Sequence, residues 1–297
     1  MKRQLLGVAA FMLALSAHAQ DNPLWMRYCA ISPDGTSIAF TYKGDIYTVP
    51  VNGGKAAQIT TNAAHDTHPV WSPDGKQIAF ASDRMGSMDI FVVDREGGIP
   101  KRLTTHSGNE TPVAFKDADH ILFLANVMPS AEDAQFPSGQ FQQVYEVSTT
   151  GDRPVMFSSM PMEDISINKT GNALLYHDKK GYEDPWRKHH TSSITRDIWL
   201  CSLDGKRSYR KLTSFNGEDR TPVWASDGKS FYYLSEEKGS FNVFKRALDG
   251  TSSTQLTHHT KHPVRFLTAA DNGTLCYGYD GEIYTMKEGT EPRKVQI

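Results

Sequence analysis

Apolar positions along this 297-residue chain come in short bursts separated by turn residues, with no sustained helical period beyond the first twenty residues. Ile31-Ser32-Pro33-Asp34-Gly35 runs on to Ile38-Ala39-Phe40, and Val70-Trp71-Ser72-Pro73-Asp74-Gly75 runs on to Ile78-Ala79-Phe80. Each phrase reads as a strand, a tight turn and a second strand. Weaker copies turn at 117–119, 169–172, 225–228 and 270–273. The six units are spaced about 40 to 57 residues apart, and a period of roughly 40–45 residues is that of four-stranded propeller blades.

A third strand follows in every unit: Asp45-Ile46-Tyr47, Asp89-Ile90-Phe91, Gln143-Val144-Tyr145, Asp197-Ile198-Trp199, Asn242-Val243-Phe244 and Glu282-Ile283-Tyr284. A polar residue followed by a β-branched and an aromatic one suits a strand with one wet and one packed face. Most units close on Leu-Thr or Ile-Thr, as at Ile59-Thr60, Leu103-Thr104, Leu212-Thr213 and Leu256-Thr257. The pattern therefore predicts an all-β fold, a six-bladed beta-propeller of four-stranded antiparallel blades. The blades fall at about 24–61, 67–105, 110–158, 163–214, 219–258 and 262–297. Because 294–297 already supplies the last outer strand, no strand is exchanged between first and last blades, and face-to-face packing alone is expected to close the ring. Two units are longer than the rest, by Asn126 to Gln142 and by Lys179 to Arg196, and loops of that length are usually functional or mobile.

Residues 1–19 belong to a different kind of segment. Lys2 and Arg3 precede an apolar run from Leu5 to Leu15, and Ala17-His18-Ala19 forms a small-residue cleavage site. That order is the signature of a secretory signal peptide, so a periplasmic or otherwise exported mature chain starting at Gln20 or Asp21 is expected. The apolar run is too short to span a bilayer, and membrane insertion is not expected. Without those residues 30 basic and 34 acidic side chains remain. No basic stripe stands out, which argues against nucleic acid as a partner. Cys29, Cys201 and Cys276 are far apart and strand-borne, and an odd, unpaired set reads as small buried hydrophobes rather than a disulfide framework. The chain ends on the sixth blade's outer strand, as expected of a fragment cut at a domain boundary.

A search for chemistry returns little. Gly35-Thr36-Ser37-Ile38-Ala39 lacks the last glycine of a nucleophile elbow, and neither a phosphate-binding loop nor a zinc-protease motif occurs. His65-Asp66-Thr67-His68 and His259-Thr260-Lys261-His262 have helical metal-ligand spacing. In extended chain, however, residues three apart point to different sides. No catalytic residue, metal or cofactor is expected in this chain. The segments entering the innermost strands are polar and charged. They bring Asp66, His68, Glu110, Glu163, Asp164, Glu218, Asp219, Arg220 and His262 toward one channel mouth, with Arg27 from the first blade. Two readings fit: ordinary loop polarity, or a mixed-charge, mainly acidic collar that steers extended peptides. In the fourth unit's loop, Trp186-Arg187-Lys188-His189-His190 either packs its ring on a blade or anchors a neighbouring domain or subunit.

The repeats resemble those of TolB and of the tricorn protease family, from about Leu24 onward. The string Trp186-Arg187-Lys188-His189-His190-Thr191 and the opening Leu24-Trp25-Met26-Arg27-Tyr28 are similar to the tricorn-type N-terminal six-bladed propeller. This resemblance implies a non-catalytic module of an exported tricorn-like serine peptidase, admitting or binding peptides or unfolded segments for C-terminal peptidase domains absent from this chain. A stand-alone TolB-like periplasmic protein-binding scaffold is the alternative. A propeller-fold lyase or hydrolase is more remote.

Overall fold

The computed structural model describes residues 23–126, 141–181, 184, 186–187 and 194–297. Among them lie twenty-four strands and no helix. They form six four-stranded antiparallel sheets, each hydrogen-bonded in chain order, so the all-β six-bladed propeller expected from the repeats is the observed fold. The sheets span 27–58, 66–102, 110–158, 162–211, 219–255 and 265–294. Their innermost strands are β1 (Arg27–Ile31), β5 (Asp66–Trp71), β9 (Glu110–Phe115), β13 (Met162–Ile167), β17 (Asp219–Trp224) and β21 (Arg265–Ala269).

The repeated turn works through its own side chains. Ser72 Oγ donates to Asp74 Oδ1 at 2.7 Å, Lys76 N–H donates to the same oxygen at 3.1 Å, and Gln77 N–H donates to Ser72 Oγ at 2.9 Å. Gly75 supplies the left-handed residue at φ 69° that the turn requires. The first blade repeats these bonds with Ser32, Asp34 and Ser37. The aromatic endings pair across strands: Phe80 stacks on Phe91 at 5.9 Å, Phe123 on Tyr145 at 5.7 Å and Tyr277 on Tyr284 at 5.9 Å. These are directly opposed residues in the ladder, the positions where side-chain pairs stabilise a sheet most.

The Leu-Thr ending has an equally local cause. Thr60, Thr104, Thr213 and Thr257 each accept, at 2.9 Å, the N–H of Ile46, Ile90, Ile198 and Val243 through Oγ1. The outer edge is thus tied to the start of the third strand in four blades. Thr104 Oγ1 also donates to Glu110 of the next blade. Thr104→Val is therefore expected to leave a buried N–H and carboxyl without partners and to cost about 1–3 kcal/mol. The check is a lower denaturant midpoint at unchanged unfolding slope.

Ring closure departs from the expectation in one respect. The last strand, β24 (Arg293–Lys294), stays in the sixth sheet on β23 (Glu282–Met286), so no strand is exchanged. Side-chain packing is not alone, however. Met26 N–H donates to Gly281 O at 3.1 Å, Gly54 N–H to Gln296 O at 2.8 Å and Asp271 N–H to Pro33 O at 2.9 Å. Main-chain groups brought together at the seam need partners once water is excluded, and the two terminal blades supply them to each other. Under these bonds lies a shared core of Met26, Cys29, Phe40, Cys276, Ile283 and Val295.

Candidate functional site

Five innermost strands carry the same irregularity near their start. The register slips between Arg27 and Ala30, Thr67 and Val70, Glu163 and Ser166, Arg220 and Val223, and Arg265 and Thr268. At each slip one residue is left-handed: Tyr28 (φ 52°), His68 (54°), Asp164 (49°), Thr221 (52°) and Phe266 (57°). Such a conformation costs energy in any residue but glycine, and its recurrence at bulges is a feature of functional rims. All five residues line a central cavity of about 1050 Å³, bounded by the innermost strands and reaching the Asp117, Lys169 and Asp271 turns opposite.

Over this mouth lies an aromatic cap. Tyr28 packs on His68 at 3.6 Å between ring centroids and on Phe266 at 4.9 Å, and Trp186 meets Phe266 edge-on at 6.0 Å. Trp186 comes from the fourth blade, yet its neighbours Arg27, Arg265 and Phe266 belong to the first and sixth. The guanidinium groups of Arg27 and Arg265 stand 4.7 and 5.0 Å from the Trp186 ring centre, within cation–π range. Arg265 Nη2 also donates to Trp186 O at 3.0 Å and to Arg187 O at 3.2 Å. Trp186 nevertheless stays 42% exposed.

What holds the loop is ionic and buried. Arg187 pairs with Glu218 and, at 2.8 Å, with Glu236, while Arg196 pairs with the other Glu218 oxygen. Arg187 and Arg220 both face the Phe241 ring, at 5.2 and 4.0 Å. Beside them Glu163 meets Lys179 at 2.7 Å and His177 at 3.2 Å. Burial alone would raise the Glu163 carboxyl, but His177 and Lys179 outweigh it and hold Glu163 ionised far below the usual range. Asp164 accepts from Thr221 Oγ1 at 2.6 Å. Burial pushes His68 down to about 4, so at neutral pH it offers an uncharged imidazole, with Nδ1 3.1 Å from Thr67 Oγ1. Arg265 is pushed down to about 10 by burial and by Arg220, Arg187 and Arg27.

Of the residues expected at the mouth, His68, Glu163, Asp164 and Arg220 line the cavity, and Arg27 stands on its rim. Asp66, Glu110, Glu218 and Asp219 are instead buried. Asp66 is held by Arg84 at 2.9 Å and Glu110 by Thr104, and burial pushes the Asp219 carboxyl up to about 6 opposite Ser235 in the ladder. Asp66, Glu218 and Asp219 stand two or three residues before a left-handed residue, whose bulge turns its own side chain toward the axis and leaves theirs buried, while Glu110 is taken up by Thr104 of the preceding blade. His262 lies beside Asp280 at 3.2 Å, outside the lining. The collar is consequently not mainly acidic: Arg196, Arg220 and Arg265 face the cavity against Glu163 and Asp164. Lys188, His189 and His190 lie outside the described residues.

Tyr28, Phe266, Arg265, Arg196 and His177 were not anticipated. Tyr28 and Phe266 hold the repeat position of His68, a match that aligning the six units would have exposed. The two H-x-x-H strings do not converge: His259 stacks on Tyr279 at 3.8 Å while His68 packs under Tyr28. Among the described residues no group of three or more His, Cys, Asp or Glu could hold a metal ion.

The seam acid Glu110 carries its own consequence. Burial, reinforced by Asp89, outweighs the Thr104 hydrogen bond and pushes the carboxyl up to about 7 from 4.5. Between those pH values the unfolded chain has released a proton that the folded protein keeps. Stability is therefore expected to fall as pH rises through this window and to level off above it. Glu110→Gln should flatten the window by about 2 kcal/mol, allowing for solvent screening. Denaturant melts of both proteins from pH 4 to 8 check this, and parallel curves would refute it.

The family model of the tricorn protease N-terminal beta propeller domain matches residues 23–292. The chain belongs to that family. Tricorn protease homolog 1 of Streptomyces coelicolor is 25% identical over 277 residues, which are 93% of this chain and 25% of the relative. The propeller thus spans about a quarter of the length of such relatives. Among solved structures, tricorn protease superposes with a TM-score of 0.74 at 20% identity, over 92% of this chain and 26% of that one. TolB from Acinetobacter baumannii gives 0.64 at 16% identity, over 89% and 61%. Both show a shared propeller fold. In this tricorn-type propeller Trp186 itself lies over the channel mouth.

Proposed function

We propose that this propeller is a non-catalytic module of an exported tricorn-like peptidase, and that it admits or retains peptides for a catalytic domain on the same polypeptide. The observation that carries the reading is the capped cavity, about 1050 Å³ in volume and walled by all six innermost strands. It exceeds the roughly 300–1,000 Å³ of ordinary small-molecule pockets. Its mouth pairs aromatic faces with guanidinium and carboxylate groups, which suits backbone and side chains of varied sequence. The length of the relatives leaves room for the chemistry elsewhere.

The test compares the longer protein with a form lacking residues 23–297. Selection by peptide length should vanish while cleavage of short peptides persists. Unchanged selection would sink the proposal. Export is part of the same reading and rests on the order of charged, apolar and small residues before Gln20. Fractionation of expressing cells with N-terminal sequencing should find a chain starting at Gln20 or Asp21.

A second reading has its own observation. Leu24 and Trp25 are 48% and 69% exposed beside Arg27, whose guanidinium also lies 5.9 Å from the Trp25 ring. Exposed Trp and Arg are favoured interface anchors, and a TolB-like protein-binding scaffold would use them. Stable capture of folded partner protein by the propeller, abolished by Trp25→Ala and untouched by peptides, would favour it.

A further inference from the structure

Cys29 and Cys276 come together at the one seam where the ring has to close. Cys29 sits on β1 of the first blade, and Cys276 on β22 (Leu275–Tyr279) of the sixth. Both are buried, at 2% and 0% exposure, within one core cluster. Cys29 Sγ donates to Phe266 O of the sixth blade at 3.5 Å, and Thr268, two residues on from Phe266, is the ladder partner of Cys276. Thr268 Oγ1 also accepts the Ile31 N–H across the seam at 3.1 Å. Cys201 lies far off, in the core between the third and fourth blades.

No strand is exchanged at this seam, so in the reduced state only packing and a few hydrogen bonds join first blade to last. Wherever a small disulfide is present as oxidant, a covalent bond there adds a tie that packing and hydrogen bonds do not supply. We infer that Cys29 and Cys276 form a disulfide that locks the first blade to the sixth and closes the propeller covalently.

The chemistry is thiol–disulfide exchange. One cysteine thiolate attacks a sulfur of a low-molecular-weight disulfide and expels one thiol. The second cysteine thiolate then displaces the other. Two protein thiols lose two protons and two electrons, and the oxidant becomes two thiols. Only the thiolate attacks, and burial raises the Cys276 thiol well above its ordinary range. Exchange therefore proceeds while the seam is open, during folding, and is slow once it has shut. The bond encloses almost the whole ring, the case in which a cross-link restricts the unfolded chain most.

The test refolds the purified 297-residue chain in oxidised or reduced glutathione, then alkylates free thiols and maps the peptides. The oxidised product should be lighter by two hydrogens, carry a Cys29–Cys276 peptide and keep Cys201 as its one free thiol. Its melting temperature should exceed that of the reduced protein by at least about 5 °C. Cys29→Ala and Cys276→Ala should each abolish the cross-link and the redox dependence, and Cys201→Ala should keep both. Three alkylated thiols after oxidative refolding, a link to Cys201, or a Cys29–Cys276 link that leaves the melting temperature unchanged would each overturn the inference. Because purified protein is used, none of these outcomes depends on where the cell sends the chain.

Discussion

Arg187→Ala is expected to destabilise the propeller by about 3–5 kcal/mol, the usual result of stripping a buried charge cluster of one partner. Glu218 is fully buried and Glu236 nearly so, and Arg187 bridges them. Arg196 still reaches Glu218 in the variant, but Glu236 keeps only the Glu218 N–H, at 2.9 Å. Arg187→Lys should recover part of the loss, because a lysine restores the charge without the planar fork. Denaturant unfolding of the three proteins at pH 7 is the measurement. A loss below about 1 kcal/mol, the range of a solvated surface pair, would show that the cluster does not brace the fourth blade's loop.

Trp186→Ala is expected to have the largest functional effect. If peptides pass the mouth, the indole has to leave Phe266 and its two guanidinium neighbours. Each cation–π contact contributes about 0.5–1 kcal/mol and the edge-on aromatic pair a similar amount. Their removal makes opening easier by about 1.5–3 kcal/mol, or roughly ten- to 150-fold in the open population. In the longer protein, kcat/KM should rise by about tenfold for long peptides and change less than twofold for short ones. Stability should fall by no more than about 3 kcal/mol, because the same contacts brace the closed, folded state. Equal effects on long and short peptides would mean that the cap does not gate entry.

How legible these features were depends on how local their causes are. The Ser-Pro-Asp-Gly turns carry their own hydrogen bonds, so each copy announces a hairpin wherever it stands. The aromatic pairs and the Leu-Thr latches recur for the same reason, and strand order followed from them. Read along the chain, the polar segments entering the innermost strands bring Asp66, Glu110 and Asp219 toward the channel mouth. A left-handed residue two positions on turns the chain after Asp66 and Asp219, and Glu110 is taken up by Thr104 of the preceding blade. Trp186 and Arg187 stand out in the sequence, but nothing near them in the chain tells that they rest on Phe266 and Glu218.

The chain by itself determined the number of blades, their order and the absence of an exchanged strand, since each is written in repeats within about 40 to 57 residues. Tertiary structure alone decided which charges face the axis, what caps the mouth and that Cys29 meets Cys276. Those contacts join residues from different blades. Closing the ring brings such residues together through the bulges and the radial packing of whole sheets, and no local pattern encodes either.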